Sequence, residues 1–172
     1  FIIMVTVFLP CRAGSQRVPF KNTKSFAGVN GGLLKIKLNE LIKIPSVNKI
    51  ILSTNDSKVI EIAETIETNK IIIDLREDYL ASASTSTDEL INYVPEVVKD
   101  SHILWTHVTS PFITAEIYES IIKKYFEKLQ EGFDSLMTVS KIQTFLWNEK
   151  GSINYDRNKE KWPRTQTIEK LY

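Results

Sequence analysis

Met4-Val5-Thr6-Val7-Phe8-Leu9-Pro10 is followed at once by Cys11-Arg12-Ala13-Gly14-Ser15-Gln16-Arg17-Val18-Pro19-Phe20-Lys21-Asn22. The first six residues are largely apolar and β-branched, and Pro10 stops them. So short a run, ended so abruptly, reads as a buried parallel strand and not as a helix. The chain then stays polar and basic through Lys24. Gly31 and Gly32 precede a stretch with Leu34, Leu38, Leu41 and Ile42 on one helical face, closed by Pro45.

The same alternation recurs downstream. Lys49–Ser53 reads as a second strand. Thr54, Asn55 and Asp56 then offer cap oxygens to a helix burying Val59, Ala63 and Ile66. Lys70–Asp74 reads as a third strand. Ser86-Thr87-Asp88-Glu89 has capping-box spacing and opens a helix with Leu90, Ile91 and Val94 inward. His102–His107 reads as a fourth strand. Thr114 is expected to cap a long helix with Ile117, Ile121, Tyr125 and Leu129 inward, and Asp134–Val139 to form a fifth strand. Regular βα alternation of this kind predicts an α/β fold with a doubly wound, mainly parallel sheet. Ligands of such sheets bind beyond the carboxyl ends of the strands. The loops Pro10–Lys24, Leu75–Thr85 and Val108–Thr114 are therefore the ones to watch.

After Ser140 the rhythm breaks. The expected organisation is a nucleotide-binding α/β domain over 1–140 and an extension over 141–172. The extension reads either as a partner-contacting arm or as a flap over the sheet edge. Both ends of the chain read as those of a piece of a longer protein.

The 172 residues suffice for one domain with a real core. The net charge of +1 argues against nucleic acid or an anionic membrane as partner, so any basic site must be local. The apolar start is too short to span a bilayer and lacks a signal-peptide pattern. Cys11 is the only cysteine, which excludes an internal disulfide and a cysteine-based zinc site and fits a reducing cytoplasm.

The loop after the first strand concentrates cations where a nucleotide's phosphates would lie. Gly14 permits close backbone approach, and Ser15 can donate a hydroxyl hydrogen bond. Arg12 and Arg17 can fork onto phosphate oxygens, and Lys21 adds a compact charge. The alternative is a solvated basic loop with no ligand. Neither the Walker motif nor the dinucleotide fingerprint is present.

Pro10–Asn22 resembles the signature of the N-acylneuraminate cytidylyltransferases (CMP-sialic acid synthetases), roughly Pro-Ala-Arg-Gly-Gly-Ser-Lys-Arg-Leu-Pro-Gly-Lys-Asn. Arg12, Gly14, Ser15, Arg17, Pro19, Lys21 and Asn22 match it, while Cys11, Ala13, Gln16 and Phe20 depart from it. Similar segments follow in order: Leu52–Asp56; Arg76 with Leu80-Ala81 and Ser84–Asp88; Thr109–Phe112; Asp134–Ser140; and Arg164-Thr165-Gln166 with Leu171-Tyr172.

The resemblance implies a Rossmann-like nucleotidyltransferase fold and a CTP- and Mg²⁺-dependent reaction on an acidic nine-carbon sugar. The products would be a CMP-sugar and pyrophosphate. It implies that Arg12 and Lys21 hold the phosphates, with Ser15 adding a hydrogen bond. Asn22, Arg76 and Thr87 would sit near cytosine and ribose. His107 stands where the family has a sugar-pocket Gln; the other reading is a His satisfied by backbone at a strand end. Arg164 and Gln166 match a dimerisation-arm segment that reaches a partner's sugar site, so a homodimer is implied. The other reading of Arg164 is a surface contact. The resemblance places the metal-binding aspartates beyond Tyr172. His102 reads as structural, and Trp105, Trp147 and Trp162 as core or interface residues. A related nucleotidyltransferase with another base or sugar, or a nucleotide-binding module without its metal site, are the competing readings.

Overall fold

The computed structural model describes residues 4–15, 17–82 and 84–172. In chain order these form β1 (Val5–Pro10), α1 (Gly32–Leu41), β2 (Val47–Thr54), α2 (Ser57–Glu64), β3 (Ile71–Leu75), α3 (Asp78–Ala81), α4 (Thr87–Val97), β4 (Ile103–Trp105), α5 (Ala115–Gln130), β5 (Trp147–Asn148) and β6 (Gly151–Ser152). The chain divides into two compact units, one ending at Glu127 and one spanning Lys128–Tyr172.

The first unit holds a sheet of order β3-β2-β1-β4, parallel throughout. β1 is central: Val7 lies beside Ile50 of β2 and Leu104 of β4. Its residues alternate between two cores. Val5, Val7 and Leu9 face Leu34, Leu38 and Leu41 of α1, Val59 and Ala63 of α2, and Ala115, Tyr118 and Ile122 of α5. Phe8 and Ile51 face Val94 and Val98 at α4, with Trp105 edge-on to Phe8 at 5.0 Å. Helices therefore cover both faces, and the doubly wound reading holds. Every strand residue of β1 before Pro10 is buried, as a parallel central strand requires.

Local chemistry explains the helix starts. The Asp56 carboxylate accepts from the Lys58 N–H at 3.0 Å to cap α2. Ser86 and Glu89 close a full capping box on α4. The first N–H of α5, at Ala115, donates to the Glu40 carboxylate of α1 (2.9 Å).

Three expectations need correction. Asp134–Val139 is not a strand; its residues are exposed, Met137 at 80%, and they join no strand ladder among the described residues. Its apolar residues resemble a buried strand in sequence, but a strand also needs a neighbour for its N–H and C=O groups. The inward face of α5 is Ala115, Tyr118 and Ile122, while Ile117 is exposed. Strict spacing by four drifts off a 3.6-residue turn, and the buried face falls one position later. On α4, Val94 is buried and Ile91 is exposed.

The second unit contains the short antiparallel β5–β6 hairpin. Ile142 and Leu171 bridge each other through two backbone hydrogen bonds. Asn154 is buried: its Nδ2 donates to the Thr144 and Glu169 carbonyls, and its Oδ1 accepts from the Leu146 N–H. Arg157 lies over the rings of Trp147 and Trp162, 5.0 and 5.2 Å from their centroids.

Candidate active site

β1 hands the chain to β2 on one side, and β4 returns on the other, so the loops after β1 and β4 part at the sheet's switch point. The loop after β1 is tied down from its first residue. The Cys11 N–H donates to the Ser53 carbonyl (2.9 Å), and Thr54 Oγ1 donates to the Cys11 carbonyl (2.6 Å). The Ala13 N–H donates to Asn55 Oδ1 at 3.0 Å. Asn22 closes the loop: its Nδ2 donates to the Arg12 carbonyl (3.3 Å), and its own carbonyl accepts from Leu34 at the start of α1 (2.9 Å). Cys11 is sealed beneath, and burial pushes its thiol up to about 12, so it is inert at neutral pH.

Two residues set the loop's bends. Gly14 has φ +75 and open space around it. Phe20 has φ +54, in the left-handed region. A side chain there costs roughly 1–2 kcal/mol. The signature quoted above has glycine at that position.

The loop walls a cleft of about 440 Å³. Arg12, Ser15, Arg17, Lys21 and Asn22 line it from the loop, Arg76 from beyond β3, Leu90 from α4, and His107, Val108 and Thr109 from beyond β4. Four cations thus line one cleft with no acidic residue among its described lining residues, in a chain of net charge +1. A second hollow of about 270 Å³ shares Arg12, Ser15, Lys21 and Asn22 and adds Gly14, Phe20 and Asp56.

Arg76 is held by a relay. Its Nε and Nη2 donate to the Ser53 hydroxyl (3.0 Å) and carbonyl (2.9 Å). The Ser53 hydroxyl donates to Asp74 (2.5 Å), which also accepts from the Tyr93 hydroxyl (2.8 Å). Burial lowers the Arg76 pKa and Asp74 opposes that, yet a guanidinium stays charged. Arg12 Nη1 reaches the Ala81 carbonyl at 3.4 Å.

His107 is fixed in one tautomer. The Trp105 indole N–H donates to its Nε2 at 3.2 Å, and an indole nitrogen can only donate. Nε2 therefore carries the lone pair and Nδ1 the proton. Partial desolvation of an otherwise exposed ring, and secondly the Lys21 charge, lower the His107 pKa, which favours the neutral ring.

Of the residues singled out by sequence, Arg12, Ser15, Arg17, Lys21, Asn22, Arg76 and His107 share the cleft. Gly14 lines the second hollow. Thr87 lines neither; it is the exposed first residue of α4. Arg164 and Gln166 belong to the second unit, with exposed side chains. There the Arg164 carbonyl accepts from Thr167 and the Gln166 carbonyl from Gln143. Gln16 lies outside the described residues. His102 is structural as expected, its Nδ1 3.1 Å from the Tyr125 hydroxyl and its ring against Phe126. Among the described residues no group of three or more His, Cys, Asp or Glu is placed to hold a metal ion. The Mg²⁺ implied by the resemblance is given no ligand set among them, and no chemical step is assigned to it.

Sequence reading offered Asn55 only as a helix cap, not as the tie to the Ala13 N–H, and missed the Asp74–Ser53–Tyr93 relay and Lys37. Lys37 carried a signal, since it falls on the apolar stripe of Leu34, Leu38 and Leu41.

The fold is that of the α/β nucleotidyltransferases. It is similar to a CMP:2-keto-3-deoxy-manno-octonic acid synthetase solved in complex with CTP (TM-score 0.57, 16% identity, 73% of this chain and 48% of that one). It is also similar to a 4-diphosphocytidyl-2C-methyl-D-erythritol synthase from Anaerococcus prevotii (TM-score 0.56, 12% identity, 98% and 67%). In sequence the chain is 23% identical over 171 residues to a pseudaminic acid cytidylyltransferase of Campylobacter jejuni, covering 95% of this chain and 72% of that protein. The sequence model of the cytidylyltransferase family matches residues 6–169, and the chain belongs to that family. It is, by that membership, a nucleotidyltransferase. Among the described residues no helix is long and apolar enough to cross a membrane.

Proposed function

We propose that this protein transfers CMP from CTP to an acidic nine-carbon sugar of the sialic or pseudaminic class, releasing pyrophosphate. One observation carries the reading: Arg12, Arg17, Lys21 and Arg76 line a single cleft at the switch point without an acidic neighbour in its lining. A triphosphate carrying about four negative charges suits such a site.

The sugar's anomeric hydroxyl attacks the α-phosphorus, a C–O–P bond forms, and the bond to the β-phosphate oxygen breaks. The hydroxyl proton passes to solvent, and pyrophosphate carries away the electron pair of the broken bond. Positioning and charge neutralisation do most of the work in such a step. Arg12 and Lys21 hold the phosphates, and Lys21 offsets charge developing at the α-phosphate. Ser15 and Arg17 add donors, Gly14 admits the backbone close to the nucleotide, and Arg76 and Asn22 face cytosine and ribose. Thr87, which lines neither hollow, is given no part in holding the nucleotide. His107, with its Nδ1 proton, donates to the sugar carboxylate or a hydroxyl and does not serve as a base. Arg164 and Gln166 act in the extension, toward the sugar of a partner subunit in a homodimer. Mg²⁺, whose ligands the resemblance places beyond Tyr172, would supply further charge neutralisation to the phosphates when bound.

The test is pyrophosphate release by the full-length protein with Mg²⁺ and each of the four nucleoside triphosphates, against pseudaminic, N-acetylneuraminic and 2-keto-3-deoxy-octonic acids. Turnover with CTP and a nine-carbon acid, abolished by Lys21→Ala in a folded protein, is the expected result. Preference for another base, or normal turnover in Lys21→Ala, would refute the reading. CTP binding without turnover would favour a nucleotide-binding module.

A further inference from the structure

Lys37 sits in α1 between Leu34 and Leu38 and is fully buried. Its Nζ donates to the Ser110 carbonyl (2.7 Å) and to the Tyr118 hydroxyl (2.7 Å), and lies 4.7 Å from the centre of the Tyr118 ring. Tyr118 in turn shares a 2.7 Å hydrogen bond with Thr106, whose N–H donates to the Phe8 carbonyl of β1 (3.1 Å). The nearby Glu40 makes no hydrogen bond to Lys37. One of its oxygens accepts from Lys43 (2.7 Å) and the other from the Ala115 N–H (2.9 Å). A core ammonium is therefore held by neutral dipoles, an arrangement that is costly unless each dipole is well aimed.

What this ammonium holds is the turn after β4. Ser110 receives Lys37 at its carbonyl and donates its own N–H to the His107 carbonyl at 3.4 Å. His107, Val108 and Thr109, the residues of that turn, line the cleft. We propose that Lys37 is a positioning residue for the active cleft: by gripping the Ser110 carbonyl it fixes the turn His107–Ser110 and the direction in which His107 meets the acidic sugar. The grip on the turn stands on geometry alone, while the sugar's identity rests on the proposed function. A charge-assisted bond to a carbonyl is roughly twice as strong as a neutral one, which suits a residue that must hold a loop from beneath.

The experiment uses the full-length protein with Lys37→Met, which keeps side-chain length and removes the donors. Leu38→Ala, one residue on, opens a cavity in the same core without touching Ser110. Backbone hydrogen exchange over residues 106–114 is measured, together with KM for the sugar and for CTP. Lys37→Met should speed exchange in the turn and raise the sugar KM about tenfold, the scale of one lost hydrogen bond, with the CTP KM within about twofold. Leu38→Ala should lower thermal stability yet leave the turn's exchange and the sugar KM as in the wild type. Wild-type exchange in Lys37→Met, or an equal effect in Leu38→Ala, overturns the proposal. If Lys37→Met does not fold, Tyr118→Phe removes one anchor of the ammonium and should give a smaller shift in the same segment; no shift there overturns it as well. Absence of all turnover in the wild type would defeat the functional reading, and the exchange measurements would still decide the role of Lys37.

Discussion

Lys37→Met also makes a quantitative test of the buried ammonium through the pH dependence of folding. Burial lowers Lys37 from 10.5 to about 8, against a smaller opposing pull from Glu40. Between those values the unfolded chain holds a proton that the folded chain has released. Stability therefore rises with pH through this window and is lost as pH falls through about 8. At about 1.4 kcal/mol per pH unit, the depression corresponds to about 3 kcal/mol. Three acids act with the opposite sign. Cys11, pushed from 9.0 up to about 12, Tyr93, pushed up by burial and the Asp74 hydrogen bond, and Tyr118, pushed up by burial, keep protons in the folded chain that the unfolded chain gives up. They remove stability as the solution becomes alkaline, so the wild-type profile alone mixes both signs. The difference between wild type and Lys37→Met cancels Cys11 and Tyr93 and leaves the lysine together with the Tyr118 hydroxyl it binds, whose ordinary value of 10.0 is already at the alkaline end of the range. Urea denaturation of both proteins in half-unit steps from about pH 7 to 10.5 should show the gap moving toward the wild type by about 3 kcal/mol. A gap constant to within about 0.5 kcal/mol across that range would refute the reasoning, because a lysine with an ordinary pKa contributes no such slope.

Three further perturbations probe the cleft's supports. A Cβ on Gly32 would lie 1.9 Å from the Lys24 carbonyl oxygen at φ +53, whereas one on Gly14 meets nothing within 4 Å. Gly32→Ala should thus cost roughly 2–4 kcal/mol and Gly14→Ala about 1 kcal/mol in urea unfolding, and equal costs would contradict the steric account. Asp74→Asn should loosen Ser53 and Arg76 and weaken CTP binding about tenfold by calorimetry, the scale of one charge-assisted hydrogen bond; unchanged affinity would show that Arg76 needs no relay. Trp105→Phe keeps the ring against Phe8 but frees His107 Nε2. The His107 titration midpoint, followed by NMR, should lie below 6.5 in the wild type and rise in the variant, and an unmoved midpoint would remove the tautomer argument.

The parallel sheet and the cation-lined loop were legible because both are written locally. Val5–Leu9 is uniformly apolar and stopped by proline, and Ser86 with Glu89 spells a cap within four residues. The cleft's lining could be anticipated because loops after parallel strands converge at one rim. What escaped was set by distant contacts. Nothing in Ile117, Ile121 and Leu129 reveals that α5 turns Tyr118 inward, where its hydroxyl meets a lysine 81 positions away. Asp134–Val139 carries strand-like residues, yet pairing is a property of two segments and no local pattern reports the second. The Ser53–Asp74 bond joins residues 21 apart, each unremarkable alone.

The two walls of the cleft have α1 in common, through Leu34 and Lys37, but are otherwise held by different anchors. The basic loop is moored to the end of β2 through Ser53, Thr54 and Asn55, and the turn bearing His107 is moored to the interior through Lys37 and Tyr118. Under the proposed reading, nucleotide handling and acceptor choice are thus modular. Swapping the tripeptide His107–Thr109 offers a route to retool the enzyme for a different acid, leaving the triphosphate machinery in place.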